Sequence, residues 1–433
     1  MEWAFFAVAV ASLLTTLNAV RPVPTTIVSI ASFFGGWLAT ELAVHRLGIQ
    51  VAILVVFPLL GGLHGWQGTA AVACVAVSIA GTLYLIYVST HAGEVAEAAL
   101  KEGLGDDYVS RIDADLAARH DPSVPWLRLL LPFRMGLPEV ERIRNVSYGP
   151  HGRRNKLDVY RRTDHPTGSP ILLQIHGGGW VLGSKDEQGI PLMQHLASRG
   201  WVCFAANYRL GPKTRFPDML VDLKRALAWI REHAVDYGGD PDFVVVTGGS
   251  AGGHLTALVA LTQNDPEYQP GFEDADTSVF AAVPYYGVYD FTGRNNVRGK
   301  TGERGMRKFL ERAVMSTKLA DDPEGWAKVS PLDRITPDGP PMFVIHGHND
   351  TLVPVGEARH FVEKLRRASR QPVVYAELPG AQHAFDIFPS IRTAHVIRAI
   401  ERYVDFMYSR YRAQSGRRPT SASPGQVDRE VVA

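Results

Sequence analysis

The first ninety residues carry only four charged side chains, Glu2, Arg21, Glu41 and Arg46, whereas charges return at ordinary density beyond Thr90. Helices that poor in charge do not make a water-facing surface, so the chain needs a lipid environment for one part and an aqueous one for the other. Four apolar stretches fill the first part: residues 3–20, 26–44, 49–63 and 69–88, separated by RPVP, HRLG and HGWQG. A bilayer core takes about 20 apolar residues per helix. The first, second and fourth stretches reach that length, and the third is shorter and contains Pro58. Residues 1–90 are therefore expected to be a transmembrane helical anchor of three to four spans, making this a multi-pass protein of the cell membrane. A cleaved signal peptide does not account for the pattern, because a basic leader is missing and three more apolar stretches follow. With four spans, Arg46 and the large remainder share one side, and the positive-inside tendency makes that side cytoplasmic. Three spans would put the remainder outside.

Residues 91–138 read as an amphipathic helical linker or cap. Within them WLRLLLPFRMGL has the apolar-basic character of a segment that lies on lipid or covers a pocket. From residue 139 to 412 the pattern changes. VERIRNVSYG and NKLDVYRR suggest an antiparallel pair, followed by the apolar runs PILLQIH, WVCFAANY, DFVVVTGG, VFAAVPYYG, PMFVIHG and PVVYAELPG. Amphipathic stretches separate these runs. Continuous strands of Val, Ile and Phe alternating with helices predict an α/β fold with a mostly parallel sheet covered on both faces. Residues 413–433 lack apolar periodicity and are expected to be a disordered tail. The net charge of +1 and the scattered arginines give no support for nucleic-acid binding. Two cysteines, Cys74 and Cys203, form neither a disulfide framework nor a metal spacing.

The chemistry concentrates in VVVTGGSAGGHL, where a buried strand runs into G-x-S-x-G and then a helix. That context pins Ser250 on a crowded strand-to-helix turn with its hydroxyl exposed. A glycine-rich phosphate loop would need a following G-K-[ST], which is missing. A serine nucleophile needs a base, and the base an orienting acid, in the chain order Ser, acid, His. Asp350 and His383 stand in that order in loops that end successive strands, where open α/β sheets place their sites. Asp290, after the preceding strand, is the second choice for the acid; Asp386 would have to fold back within the histidine's own loop. His346 and His348 are read as structural. HGGGW, at the end of another strand, brings bare backbone close to this centre. The N–H groups of Gly177, Gly178, Gly179 and Ala251 are candidates for an oxyanion hole.

HGGGW, GGSAGG, NYRLGPKTRFPDMLVDLKRALAWI, HGHNDTLVP and GAQHAF follow one another in an order that resembles the hormone-sensitive-lipase-like esterases of the α/β-hydrolase fold. The resemblance covers roughly residues 140–410. It implies an α/β-hydrolase domain with Ser250 as nucleophile, Asp350 as orienting acid, His383 as base and the glycine run as oxyanion hole. Many members carry an acid immediately before the serine, where this chain has Gly249, which puts the contacts around the triad in question. The anchor makes the chain similar to a membrane-anchored bacterial branch, and to the prenylcysteine methylesterases. The expected activity is that of a serine carboxylesterase or lipase acting on acyl esters or lipids, with no cofactor and no metal. Prenylcysteine methylester hydrolysis, arylformamide hydrolysis and acyl transfer use the same residues and stay open. So does a non-catalytic binding module.

Overall fold

The computed structural model describes residues 1–24, 28–121 and 123–416. The apolar segment forms α1 (Glu2–Val20), α2 (Ser29–Glu41), α3 (Ala43–Leu59) and α4 (Gly65–Thr90), the last continued by α5 (Ala92–Leu104). α1 and the α4–α5 rod are each long and apolar enough to cross a membrane, whereas α2 and α3 reach that length only together and meet at 88°. Polar side chains join the bundle from within: Thr16 and Gln50 both reach the Ser78 hydroxyl, at 2.7 and 2.8 Å.

The stretch 26–44 thus reaches spanning length only as the bent pair α2–α3, and residues 25–27 lie outside the described ones. α2 has 13 residues, a rise of about 20 Å against a hydrocarbon core of about 30 Å. Glu41, the last residue of α2, is buried in an ion pair with Arg392 and accepts a hydrogen bond from Ser390 Oγ at 2.7 Å. An unpaired buried charge is costly, so this contact ties the end of α2 to the C-terminal part of the chain.

Further along come the short α6 (Ala114–Ala117) and α7 (Trp126–Leu129). Among the described residues eight strands then make one sheet in the order β1-β2-β4-β3-β5-β6-β7-β8. They are β1 (Val140–Ser147), β2 (Lys156–Arg162), β3 (Ser169–Ile175), β4 (Val202–Ala206), β5 (Gly239–Gly249), β6 (Ala281–Tyr285), β7 (Met342–Gly347) and β8 (Val373–Leu378). β1 and β2 pair antiparallel, as do β2 and β4, and the remaining neighbours are parallel. The intervening helices are α8 (Ile190–Ser198), α9 (Asp218–His233), α10 (Ala251–Leu261), α11 (Gly299–Ala313), α12 (Pro323–Lys328), α13 (Gly356–Ala368) and α14 (Ile391–Ser415). One core joins the sheet to α9, α10 and α13; the other joins its opposite face to α5, α8 and α14.

Residues 92–116, within the stretch read as an amphipathic linker or cap, place Ala96, Leu100, Leu104, Tyr108, Ile112 and Leu116 in that second core, where all are buried. Helix α14 continues through Ser415, so residues 413–415 belong to it, and residues 417–433 lie outside the described ones.

Candidate active site

β5 ends at Gly249 and α10 begins at Ala251, leaving Ser250 between them with φ 60° and ψ −122°. A non-glycine residue held there stores about 1–3 kcal/mol of strain, sustained only where the surroundings dictate the conformation. They do: the Ser250 N–H donates to the Tyr285 carbonyl at 3.1 Å. A Cβ on Gly248 would stand 2.4 Å from the Ile175 carbonyl oxygen, and one on Gly252 2.2 Å from the same atom. The small residues of G-x-S-x-G are required because the turn lies directly against the end of β3.

Asp350 and His383, 33 positions apart in the chain, meet at 2.6 Å through Oδ2 and Nδ1. The other carboxylate oxygen of Asp350 accepts from the N–H groups of Leu352 and Val353 at 2.9 and 2.7 Å. Burial by itself would raise the Asp350 pKa. The charge on His383 and hydrogen bonds from His346 and His383 outweigh it and hold the carboxyl well below its usual range. Gln382, which sequence reasoning passed over, joins the two loops: its Oε1 accepts from the N–H groups of Thr351 and His383 at 2.8 and 3.0 Å. Asp290 caps its own loop, accepting from Thr292 and Gly293. Asp386 accepts from the Tyr286 hydroxyl. His346 reaches the Val353 carbonyl at 2.8 Å, and His348 is an exposed partner of Glu377.

The HGGGW loop folds over the serine. A Cβ on Gly177 would lie 2.6 Å from the Gly249 carbonyl oxygen and 3.1 Å from Ser250 Cβ, so only bare backbone can pass there. The Gly177 N–H is already engaged, donating to Gln188 Oε1 at 2.6 Å. Gly178 and Gly179 both take positive φ, 112° and 57°. Trp180, at the end of the loop, is buried and donates from Nε1 to His254 Nδ1 at 3.1 Å, while His254 Nε2–H donates to the Val329 carbonyl at 2.8 Å. Burial pushes the His254 pKa down to about 3, so this ring stays neutral and latches the loop to α10. Gln188 and His254 had no motif of their own in the sequence.

The two inner glycines differ in the room they have. A Cβ at Gly178 would stand 2.2 Å from the Leu182 carbonyl oxygen, but one at Gly179 would meet only the Phe309 ring at 3.7 Å. Gly178→Ala is therefore expected to displace the loop and lower kcat by about 10²–10³-fold, the usual cost of one lost oxyanion donor. Gly179→Ala should cost clearly less. Steady-state kinetics on a soluble ester checks both; an effect on KM alone would mean that the loop only shapes the pocket.

Gly249 is explained by its neighbour. A Cβ there would lie 2.5 Å from the Tyr286 hydroxyl oxygen, so the tyrosine occupies the space where many relatives place an acidic side chain. Tyr286 also lays its ring 4.5 Å from that of His383. A second ring at His383 comes from the apolar N-terminus: Phe33 of α2, edge-on, with ring centroids 6.0 Å apart. Trp37 donates from Nε1 to the Ala384 carbonyl at 2.9 Å. An aromatic contact to this histidine therefore comes from α2, a residue source that the sequence reading did not single out. The 126–137 segment lies alongside, with Phe133 edge-on to Phe388 and Phe388 stacked on Trp37.

One group of potential metal ligands occurs among the described residues, His120, Glu401 and Asp405. Its donors are already committed, His120 to Asp405 and Glu401 to His195, both at 2.9 Å.

A mostly parallel sheet of this strand order, with a serine pinned between β5 and α10, defines an α/β hydrolase. A family model described as BD-FAE matches residues 157–365. The "Probable carboxylic ester hydrolase LipM" of Mycobacterium tuberculosis is 43% identical over 431 residues, covering 96% of each chain. "Esterase LipQ" of the same organism is 40% identical over 331 residues, 75% of this chain and 77% of that one. Among solved structures, the esterase Est2 of Thermogutta terrifontis superposes with a TM-score of 0.51 at 27% identity, covering 66% of this chain and 95% of its own. The chain belongs to the hormone-sensitive-lipase-like serine esterases.

Proposed function

We propose that this protein is a membrane-anchored serine carboxylesterase whose substrates are esters with apolar acyl chains. The observation that carries the reading is the 2.6 Å contact between His383 Nδ1 and Asp350, in a sheet that also holds Ser250 on a strained strand-to-helix turn. In this reading His383 Nε2 takes the proton of Ser250 as its Oγ adds to the acyl carbon. Asp350 fixes the tautomer and stabilises the imidazolium. The oxyanion is received by the N–H groups of Gly178, Gly179 and Ala251. Gly177, grouped with them on sequence grounds, contributes shape, since its own N–H is held by Gln188. The tetrahedral intermediate collapses, the protonated His383 gives its proton to the leaving alkoxide, and the acyl group stays on Ser250. Water, deprotonated by the same histidine, then releases the acid.

The preference for apolar chains rests on α2. Its inner face carries Phe33 and Trp37 against the histidine loop, while Ile30, Phe34 and Leu38, spaced four apart, remain 63, 55 and 42% exposed on another face. A helix apolar on both faces and bent away from the spans fits the membrane surface, with the catalytic histidine directly beneath it. The multi-pass anchor of α1 and α4–α5 belongs to the same reading.

The test is a series of p-nitrophenyl esters of increasing chain length. Ser250→Ala should abolish hydrolysis of all of them. Phe33→Ala should raise KM for the long chains and leave acetate hydrolysis near normal. Turnover by Ser250→Ala would contradict the nucleophile, and an equal loss on every chain length in Phe33→Ala would contradict the role of α2.

A further inference from the structure

Three arginines, Arg128, Arg134 and Arg398, converge on one cleft walled by Leu129, Met135 and Ile397, about 550 Å³ with its open mouth. Elsewhere in the chain arginines are commonly matched by acids, as Arg392 is by Glu41 and Arg298 by Glu357. Here, among the described residues, no carboxylate lies in ion-pair reach of any of the three. The His195 that shares the cleft is held by Glu401 at 2.9 Å. Glu139 acts on Arg128, and Asp121 and Glu401 on Arg398, only at longer range, and Arg398 Nη1 is shielded from solvent with no hydrogen-bond partner. Burial depresses the pKa of both Arg128 and Arg398. Ser390 and Thr393 bring the first turn of the 25-residue α14 to the same cleft, adding the positive end of a helix dipole. Arg128 and Arg398 are partly buried and Arg134 stands exposed at the rim; partly desolvated guanidinium groups without a paired acid favour an anion, and a bidentate oxyanion is the partner that suits them.

The rim says where that anion comes from. Trp126, Leu127, Leu130 and Phe133, on the segment that supplies Arg128 and Arg134, are 56, 75, 53 and 78% exposed. The carbonyl of Leu130 is in contact with His45 of α3 at 3.1 Å, so this apolar rim adjoins the N-terminal helices. A basic cleft with an apolar lip next to apolar helices matches a lipid whose head is anionic and whose tails stay in the bilayer.

We propose that this cleft binds the phosphodiester headgroup of an acidic phospholipid, as a site separate from Ser250. Bound there, the lipid would brace the 126–135 segment against the start of α14, directly after the His383 loop.

The full chain in a neutral detergent, titrated with phosphatidylglycerol or with phosphatidylcholine and followed by its thermal midpoint, provides the test. Phosphatidylglycerol should raise the midpoint saturably and phosphatidylcholine should not. The Arg128→Gln/Arg398→Gln pair should weaken that response at least about tenfold, as expected for losing charge-assisted hydrogen bonds. Arg370→Gln, on the exposed surface, should leave it unchanged. Hydrolysis of a short soluble ester by the double variant shows that it is folded, and the binding readout itself does not depend on turnover. Inorganic phosphate or glycerol phosphate competing as strongly as the lipid would overturn the lipid source. A response that survives in the double variant, or is lost equally in Arg370→Gln, would overturn the site.

Discussion

Asp350→Asn is expected to lower kcat by about 10⁴-fold on any ester while the protein stays folded. The amide is isosteric and can still accept from the N–H groups of Leu352 and Val353, so the loop has little reason to move. What changes is the partner of His383 Nδ1: the carboxylate that holds a proton on that nitrogen becomes an amide, and the imidazolium formed during acylation loses its counter-charge. Asp290→Asn and Asp386→Asn should be far milder, because those carboxylates serve their own loop and the Tyr286 hydroxyl. Comparing kcat for the three variants decides the assignment. A mild Asp350→Asn beside a severe Asp290→Asn would reverse it.

The second large effect concerns the N-terminus. A chain starting at Glu139 contains every catalytic candidate, and the sequence pattern suggests that it would be a soluble hydrolase. The structure leads to the opposite expectation. Such a chain lacks Leu100, Leu104, Tyr108, Ile112 and Leu116, all buried in the core that backs β8 and α14. At about 1.5–3 kcal/mol for each large side chain, the loss is on the order of 10 kcal/mol, comparable with the whole net stability of a domain. It also removes Glu41 and leaves Arg392 buried without its partner, a change that by itself costs about 3–5 kcal/mol. The truncated chain should be insoluble or lack a cooperative thermal transition. The full chain should stay with membranes through an alkaline wash. A truncated chain that melts cooperatively and hydrolyses esters would contradict this account of the core, and full-length protein released by the wash would contradict the anchor.

The catalytic domain was legible in the sequence to an unusual degree because its signals are local. Each buried strand is a continuous apolar run, and Ser250, Asp350 and His383 each follow one directly. The glycines of HGGGW and GGSAGG also report close backbone approach without any knowledge of the partner. What was not legible depends on pairs distant in the chain. Stretch 26–44 has the length and composition of a span. Contacts with residues more than 300 positions away, Arg392 with Glu41, Ala384 with Trp37 and His383 with Phe33, reveal that α2 packs on the domain. Gly249 departs from the family pattern because Tyr286, 37 positions on, fills its space. The N–H of Gly177 is taken by Gln188, a partner that no motif in the sequence marks. Residues 92–116 have the periodicity of a surface helix, and periodicity alone does not say which surface the apolar face meets. In each case a tertiary contact decides between readings that local composition leaves equal.

The central claim is that Ser250 is a nucleophile activated by His383, and a fluorophosphonate probe tests it most directly. Reaction with the full-length protein in detergent, followed by mass analysis of its peptides, should place one adduct on Ser250. Labelling should vanish in Ser250→Ala and slow by orders of magnitude in His383→Ala. An adduct on another residue, or undiminished labelling of Ser250→Ala, would contradict the account.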